Sequence, residues 1–111
     1  MVPIITIVFI DMDKIPLDPY VIDVLMRDLI GHDHKPAAFL VYLFLLRQSV
    51  GARRDTVAVS LQGIASKTGL SKSTVQTALR HLKSRGLLDG TVKATVRDPK
   101  RRVLKPWTRR A

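Results

Sequence analysis

The chain has 111 residues, a hydrophobic fraction of 46% and a formal net charge of +10, as expected for one globular domain with a modest core. It contains no cysteine, which excludes a disulfide scaffold, thiolate metal sites and cysteine nucleophiles. The charge is uneven, because residues 1–50 hold four basic and six acidic side chains whereas residues 51–111 hold 15 and three. This predicts that the C-terminal half meets a polyanion and the N-terminal half builds core or contacts a partner.

No membrane or export segment is predicted. The longest apolar run, residues 37–46, is followed by Arg47, whereas a membrane span needs about 20 apolar residues. The first residues lack the basic start of a signal peptide. We therefore expect a cytoplasmic protein.

The first elements in chain order are a strand and a helix. The β-branched run at residues 4–10 predicts a strand. Asp18 followed by Pro19 predicts the start of a helix that runs to about Ile30 and stops at Gly31. Two neighbouring apolar stripes make this helix more apolar than a surface helix needs to be. They consist of Val21, Leu25 and Leu29, and of Ile22, Met26 and Ile30.

A second helix is predicted from about residue 37 to residue 49, after Pro36. It is apolar nearly all round through Leu46, which places it at the centre of the core or in a subunit interface. Residues 51–55 are expected to form a turn, and residues 56–59 are a candidate short strand.

Two short helices joined by a tight turn follow. Ser60 is the expected cap of a helix over residues 61–68 that ends at Gly69, and Ser71 is the expected cap of a helix over residues 72–85 that ends at Gly86. The small residue Ala65 allows a close helix crossing, and Gly69 suits the left-handed conformation of a sharp turn.

The last of these helices has two chemically different faces. Val75, Ala78, Leu79 and Leu82 share its apolar face. The opposite face, flanked by Lys72, Thr74 and Lys83, carries Ser73, Gln76, Thr77 and Arg80. Amide, hydroxyl and guanidinium groups on one helix face suit the edges of bases in the major groove of DNA.

The segment SLQGIASKTGLSKSTVQTALRHLKSRGLLDG resembles the helix-turn-helix of bacterial winged-helix regulators of the GntR and MarR kind, and related winged helices of replication initiators. The resemblance rests on the Ala65, Gly69, Val75 spacing and on the Leu82-Lys-Ser-Arg-Gly-Leu-Leu exit from the last helix. It covers roughly residues 36–106. It implies a three-helix core with a β-hairpin wing, and double-stranded DNA as the ligand. It also implies that Lys72, Ser73, Thr74, Gln76, Thr77 and Arg80 occupy the major-groove positions.

A basic hairpin is expected to form the wing. Residues 91–96 alternate polar and apolar side chains, as a half-buried strand does. Residues 97–101 contain Pro99 and predict a turn, from which residues 102–105 return as the partner strand. Arg97, Lys100, Arg101 and Arg102 cluster there, so contact with the DNA backbone is favoured over a solvated turn.

The predicted fold is mainly α with a small β-hairpin, a winged helix-turn-helix at residues 36–111 preceded by an extension at residues 1–35 that packs or dimerises. The predicted function is sequence-specific binding of double-stranded DNA in transcriptional regulation, as a homodimer. Ser73, Gln76, Thr77 and Arg80 would contact bases, and Lys72, Thr74, Lys83 and the wing cations would contact the backbone. Two alternatives stay open, a winged-helix protein-interaction or assembly module and the DNA-binding part of a plasmid replication initiator. No cofactor, small-molecule effector or metal is expected.

Two other motifs contain residues typical of catalytic or metal sites, but neither motif is complete. Asp11 and Asp13 resemble the strand-end pair of haloacid-dehalogenase phosphatases, but the chain is too short for that fold, so no enzymatic activity is expected. His32, Asp33 and His34 lack the further ligands of a metal site. His81 is expected on the exposed side of the fourth helix as a candidate phosphate contact, and Trp107 is expected to close an edge of the core.

Overall fold

A computed structural model describes residues 16–52, 56–92, 95 and 99–108. The predicted strand at residues 4–10, Asp11, Asp13 and the wing residue Arg97 lie outside these ranges. Within them, no helix is long and apolar enough to cross a membrane.

The N-terminal helix covers residues 19–32. It begins where predicted, because the Tyr20 backbone N–H donates to Asp18 Oδ1 at 2.9 Å. It is mostly π-helical, in two stretches, Val21–Leu25 and Arg27–His32. The predicted stop at Gly31 is wrong. Gly31 keeps a negative φ, and the left-handed residue that ends the segment is His34, at a φ of 56°.

The two predicted apolar stripes of this helix differ in burial, and of the second stripe only Met26 packs against the core. Val21, Leu25 and Leu29 are buried, whereas Ile22 and Ile30 are 43% and 39% exposed. Within the described part of the chain, Ile22 and Ile30 are therefore left without a packing partner.

Helix α1, Pro36–Ala52, is the central element of the core. Its buried side chains include Phe39, Val41, Tyr42 and Leu45, which confirms its predicted central position. The helix continues through Gly51 and Ala52, so the turn predicted from residue 51 is wrong at these two positions, and residues 53–55 are not described. The Tyr42 hydroxyl donates to the Leu104 carbonyl at 2.7 Å, and burial raises the pKa of this phenol.

Helices α2, Leu61–Thr68, and α3, Lys72–Ser84, form the predicted helix-turn-helix. Ser60 Oγ accepts from the Gly63 N–H at 2.9 Å, and Ser71 Oγ accepts from the Thr74 N–H at 3.2 Å. Gly69 has the left-handed φ of 79° that the turn requires. Both caps and the turn are confirmed, and α3 ends one residue earlier than predicted.

Strands β1, Thr56–Ala58, and β2, Lys100–Arg102, form a two-stranded antiparallel sheet in which Val57 pairs with Arg101. This confirms the strand expected after α1. The turn predicted over residues 97–101 is wrong at Lys100 and Arg101, because both lie in β2 and pair with β1. The wing also begins nearer to α3 than predicted, because Leu88 bridges to Val103. Thr91 lies in a turn and not in a strand, since the Asp89 carboxylate accepts hydrogen bonds from the Thr91 N–H and hydroxyl.

The chain after the sheet returns to the N-terminal helix. Pro106–Thr108 forms a short 3-10 turn, and the Trp107 ring stacks on Tyr20 with centroids 5.0 Å apart. Tyr42 meets the same indole edge-on at 6.4 Å. This confirms that Trp107 closes an edge of the core. The arrangement of helices and strands is that of a winged helix-turn-helix.

Candidate nucleic-acid interface

Helix α3 separates its apolar and polar side chains as the sequence predicts. Val75, Ala78, Leu79 and Leu82 are buried against the rest of the domain. The opposite side, here called the polar face, consists of the exposed residues Ser73, Gln76, Thr77 and Arg80. Lys72 and Lys83 beside it are also exposed, and Thr74 is half-buried. Among the described residues, none covers the polar face, which is therefore accessible to another molecule.

The polar face retains most of its hydrogen-bonding capacity. Arg80 Nη2 donates a long bond of 3.4 Å to Thr77 Oγ1, which leaves the other guanidinium donors available. Within the described part of the chain, the Gln76 amide has no hydrogen-bond partner. Side chains presented in this way have the donor and acceptor chemistry that base edges require.

An ion-pair cluster fixes the C-terminal end of α3 to the joint between the N-terminal helix and α1. We call it the Asp33 cluster. The Asp33 carboxylate, 7% exposed, lies 2.7 Å from His81 Nε2 and 2.9 Å from Arg85 Nε. Its second oxygen lies 2.8 Å from His32 Nδ1. Asp28 adds a longer contact of 3.7 Å to Arg85.

The Asp33 cluster corrects the position expected for His81. This side chain is 21% exposed and is paired with Asp33, so it does not lie on the exposed side of α3. The carboxylate that a metal site at His32, Asp33 and His34 would need is already paired with side chains of this cluster. No sequence motif indicates the pairing, because Asp33 and His81 are 48 positions apart.

The Asp33 cluster predicts an acid-dependent contribution to stability. Hydrogen bonds from His32 and His81, aided by the Arg85 charge, lower the pKa of Asp33 from 3.8 to about 2. A lowered pKa stabilises the folded state above pH 3.8, and this stabilisation disappears as pH falls through about 2. At pH 5–7 (roughly, the range in which the stabilisation is complete), we expect the parent to have a higher melting temperature than Asp33→Asn. The difference between the two melting temperatures should shrink below pH 3.8.

Asp23→Asn is the matched control, because Asp23 is an exposed aspartate of the N-terminal helix that takes no part in the Asp33 cluster. Thermal melts followed by circular dichroism measure both variants. A constant difference between the parent and Asp33→Asn down to pH 2 (about the folded-state pKa) would contradict an ionised Asp33 in the folded protein.

The wing cations differ in their surroundings. Lys100 and Arg102 are exposed, and Arg102 Nη1 lies 3.9 Å from Asp89 Oδ2. Arg101 is half-buried, and its Nη1 donates to the Val59 and Pro99 carbonyls at 2.5 and 3.2 Å. Arg101 thus ties the wing to β1, so its predicted contact with DNA would be additional to a structural role.

Comparison with known proteins identifies the segment that contains this interface. Residues 35–88 match a family model described as a helix-turn-helix domain. The matched segment spans α1, β1, α2 and α3, and it supports a DNA-binding helix-turn-helix. No curated protein and no solved structure matches the chain.

Proposed function

We propose that this protein is a cytoplasmic transcriptional regulator that binds double-stranded DNA sequence-specifically. We further propose that it has no enzymatic activity. The observation that carries the proposal is the exposed polar face of α3, directly opposite the side chains that fix the helix in the core. The match of residues 35–88 to a helix-turn-helix domain supports it. In this arrangement α3 lies in the major groove and the wing lies along the adjacent backbone.

The roles of individual residues follow from their places on α3 and the wing. Ser73, Gln76, Thr77 and Arg80 contact base edges, since they occupy the centre of the exposed side. The flanking residues Lys72, Thr74 and Lys83, together with the wing cations, contact phosphates. The excess of positive charge after residue 50 supports this division.

The test is selection of bound duplexes from a random pool, followed by affinity measurements across a series of salt concentrations. We expect an enriched sequence and a steep fall of affinity with salt, because phosphate contacts release counterions. Absence of salt-dependent duplex binding would favour the protein-interaction module. Enrichment of a replication origin rather than a promoter site would favour the replication initiator.

The wing is expected to supply affinity rather than sequence preference. Replacing Lys100 and Arg102 together with alanine should weaken binding to all duplexes similarly. It should also flatten the plot of log affinity against log salt by about 0.9 for each lost phosphate contact. An unchanged slope would mean that Lys100 and Arg102 of β2 are solvated and do not contact phosphates. Arg101→Ala is not an equivalent control, because it also removes the bonds to β1.

We further propose a homodimer formed through the N-terminal half. The large exposed apolar side chains of the described residues all precede residue 41, namely Leu17, Ile22, Ile30 and Leu40. Apolar surface concentrated on one part of a domain commonly marks an interface. A two-fold dimer would present two copies of α3 to a palindromic site.

Sedimentation equilibrium at tens of micromolar (roughly, the range of weak dimers) measures the association. We expect a dimer for the parent and a monomer for the double variant Ile22→Ser, Ile30→Ser. These side chains are exposed, so the substitutions should leave the fold of a single subunit intact. A parent that sediments only as a monomer would contradict the dimer.

A further inference from the structure

A groove lies between the start of α1 and the first turns of α3. We call it the Lys35 groove. It has a volume of about 290 Å³, and it is lined by His34 and Lys35 on one side and by Ser73, Thr74 and Thr77 on the other. Pro36 and small alanine side chains line the rest. Because Ser73 and Thr77 belong to the polar face, the groove borders the surface that would enter the major groove.

The polar groups that line the Lys35 groove suit an anionic oxygen. Lys35 brings an ammonium group, and Thr74, which the proposed function assigns to the DNA backbone, brings a hydroxyl that can donate a hydrogen bond. Ser73 and Thr77 border the groove on the side of the polar face and keep their single donors for base edges. Among the described residues, those that line the groove include no carboxylate, so none of them repels an anion there. Lysine and hydroxyl side chains are among the groups that contact DNA phosphates.

The backbone at this joint is held firmly against α3. His34 has a φ of 56°, which is uncommon outside glycine and costs conformational energy. The neighbouring Asp33 fixes this backbone through its contacts with His81 of α3 and with Arg85, which caps the C-terminal end of α3. The backbone that carries Lys35 is therefore anchored beside α3, so little backbone entropy would be lost when Lys35 binds an anion.

We propose that the Lys35 groove receives a backbone phosphate of the DNA strand that runs beside α3, with Lys35 as its cation. This inference rests on the proposed DNA-binding function. It makes the joint before α1 a third backbone contact, additional to the flanks of α3 and the wing. The Asp33 cluster then has a functional consequence, because it holds the backbone that carries Lys35 beside α3.

The test compares Lys35→Gln with Arg47→Gln on the selected duplex and on unrelated duplexes. Both substitutions remove one positive charge from a long side chain. Arg47 lies on α1 itself, 12 residues further along and hence about 18 Å away. Lys35→Gln should weaken binding to every duplex by about five- to tenfold at low salt and reduce the salt slope by about 0.9. Arg47→Gln should leave the slope unchanged, and both variants should melt like the parent.

A second experiment locates the phosphate. Phosphates of the selected duplex are replaced one at a time by neutral methylphosphonates, and each duplex is titrated with the parent and with Lys35→Gln. At one phosphate next to the bases that α3 contacts, the replacement should weaken DNA binding by the parent. The same replacement should have little effect on DNA binding by Lys35→Gln, as expected when the lysine and the phosphate form one contact. Inorganic phosphate at matched ionic strength tests whether the groove takes the free ion instead.

The outcomes separate this inference from the proposed function. If the parent binds DNA with a steep salt slope and Lys35→Gln keeps that slope, the Lys35 groove is not a phosphate site and DNA binding stands. Competition by inorganic phosphate that depends on Lys35, without any methylphosphonate effect, would also overturn the assignment to DNA. If the parent binds no duplex, both proposals fail together.

Discussion

Alanine at Gln76 or Arg80 is expected to weaken binding to the preferred duplex by about 1–3 kcal/mol and to relax preference at one base position. Both side chains lie on the polar face, away from buried Val75, Leu79 and Leu82. A glutamine can pair bidentately with adenine and an arginine with guanine. Since an exposed helical position tolerates alanine, the melting temperatures should stay close to that of the parent.

The measurement is a set of binding titrations on every single-base variant of the selected site, with thermal melts alongside. Lys72→Ala is the control, because this exposed lysine flanks the polar face and is better placed for phosphate. It should weaken all duplexes alike and leave base preference unchanged. If Gln76→Ala and Arg80→Ala bind every duplex like the parent, α3 does not contact bases, and the protein-interaction module becomes the better hypothesis.

Local signals in the sequence were enough to predict the helix-turn-helix. Ser60 and Ser71 each accept a backbone N–H three residues ahead, and this bond depends on residues that are adjacent in the sequence. Gly69 ends α2 for an equally local reason. Helical periodicity likewise separates buried Leu82 from exposed Arg80.

Predictions failed where distant residues decide the structure. Gly31 resembles a helix stop, yet the segment continues to His32 because the contacts of Asp33 with His81 and Arg85 fix the joint further on. No local pattern links residues so far apart. Arg101 shows the same limit, since the sequence places it among the wing cations and only the folded chain brings it against the Val59 carbonyl.

A large loss of stability, about 2–4 kcal/mol, is expected when Trp107 is replaced by alanine, somewhat less than for a fully buried aromatic residue. Trp107 packs on the core, stacks on Tyr20 of the N-terminal helix and meets Tyr42 of α1 edge-on. Its loss removes one contact surface from two helices at once. Urea unfolding followed by circular dichroism measures the change in the free energy of unfolding.

Trp107→Phe is the comparison variant, and it should lower the free energy of unfolding by less than about 1 kcal/mol. The Trp107 Nε1–H is buried and has no acceptor among the described residues. A buried donor without a partner carries a desolvation cost, so phenylalanine keeps the ring contacts and removes that cost. Tyr20→Ala combined with Trp107→Ala should show a coupling of about 0.5–1.5 kcal/mol, the usual strength of an aromatic pair. A loss for Trp107→Phe as large as that for Trp107→Ala would mean that the indole N–H has an acceptor in solution, and that a hydrogen bond rather than ring packing joins the C-terminal segment to the N-terminal helix.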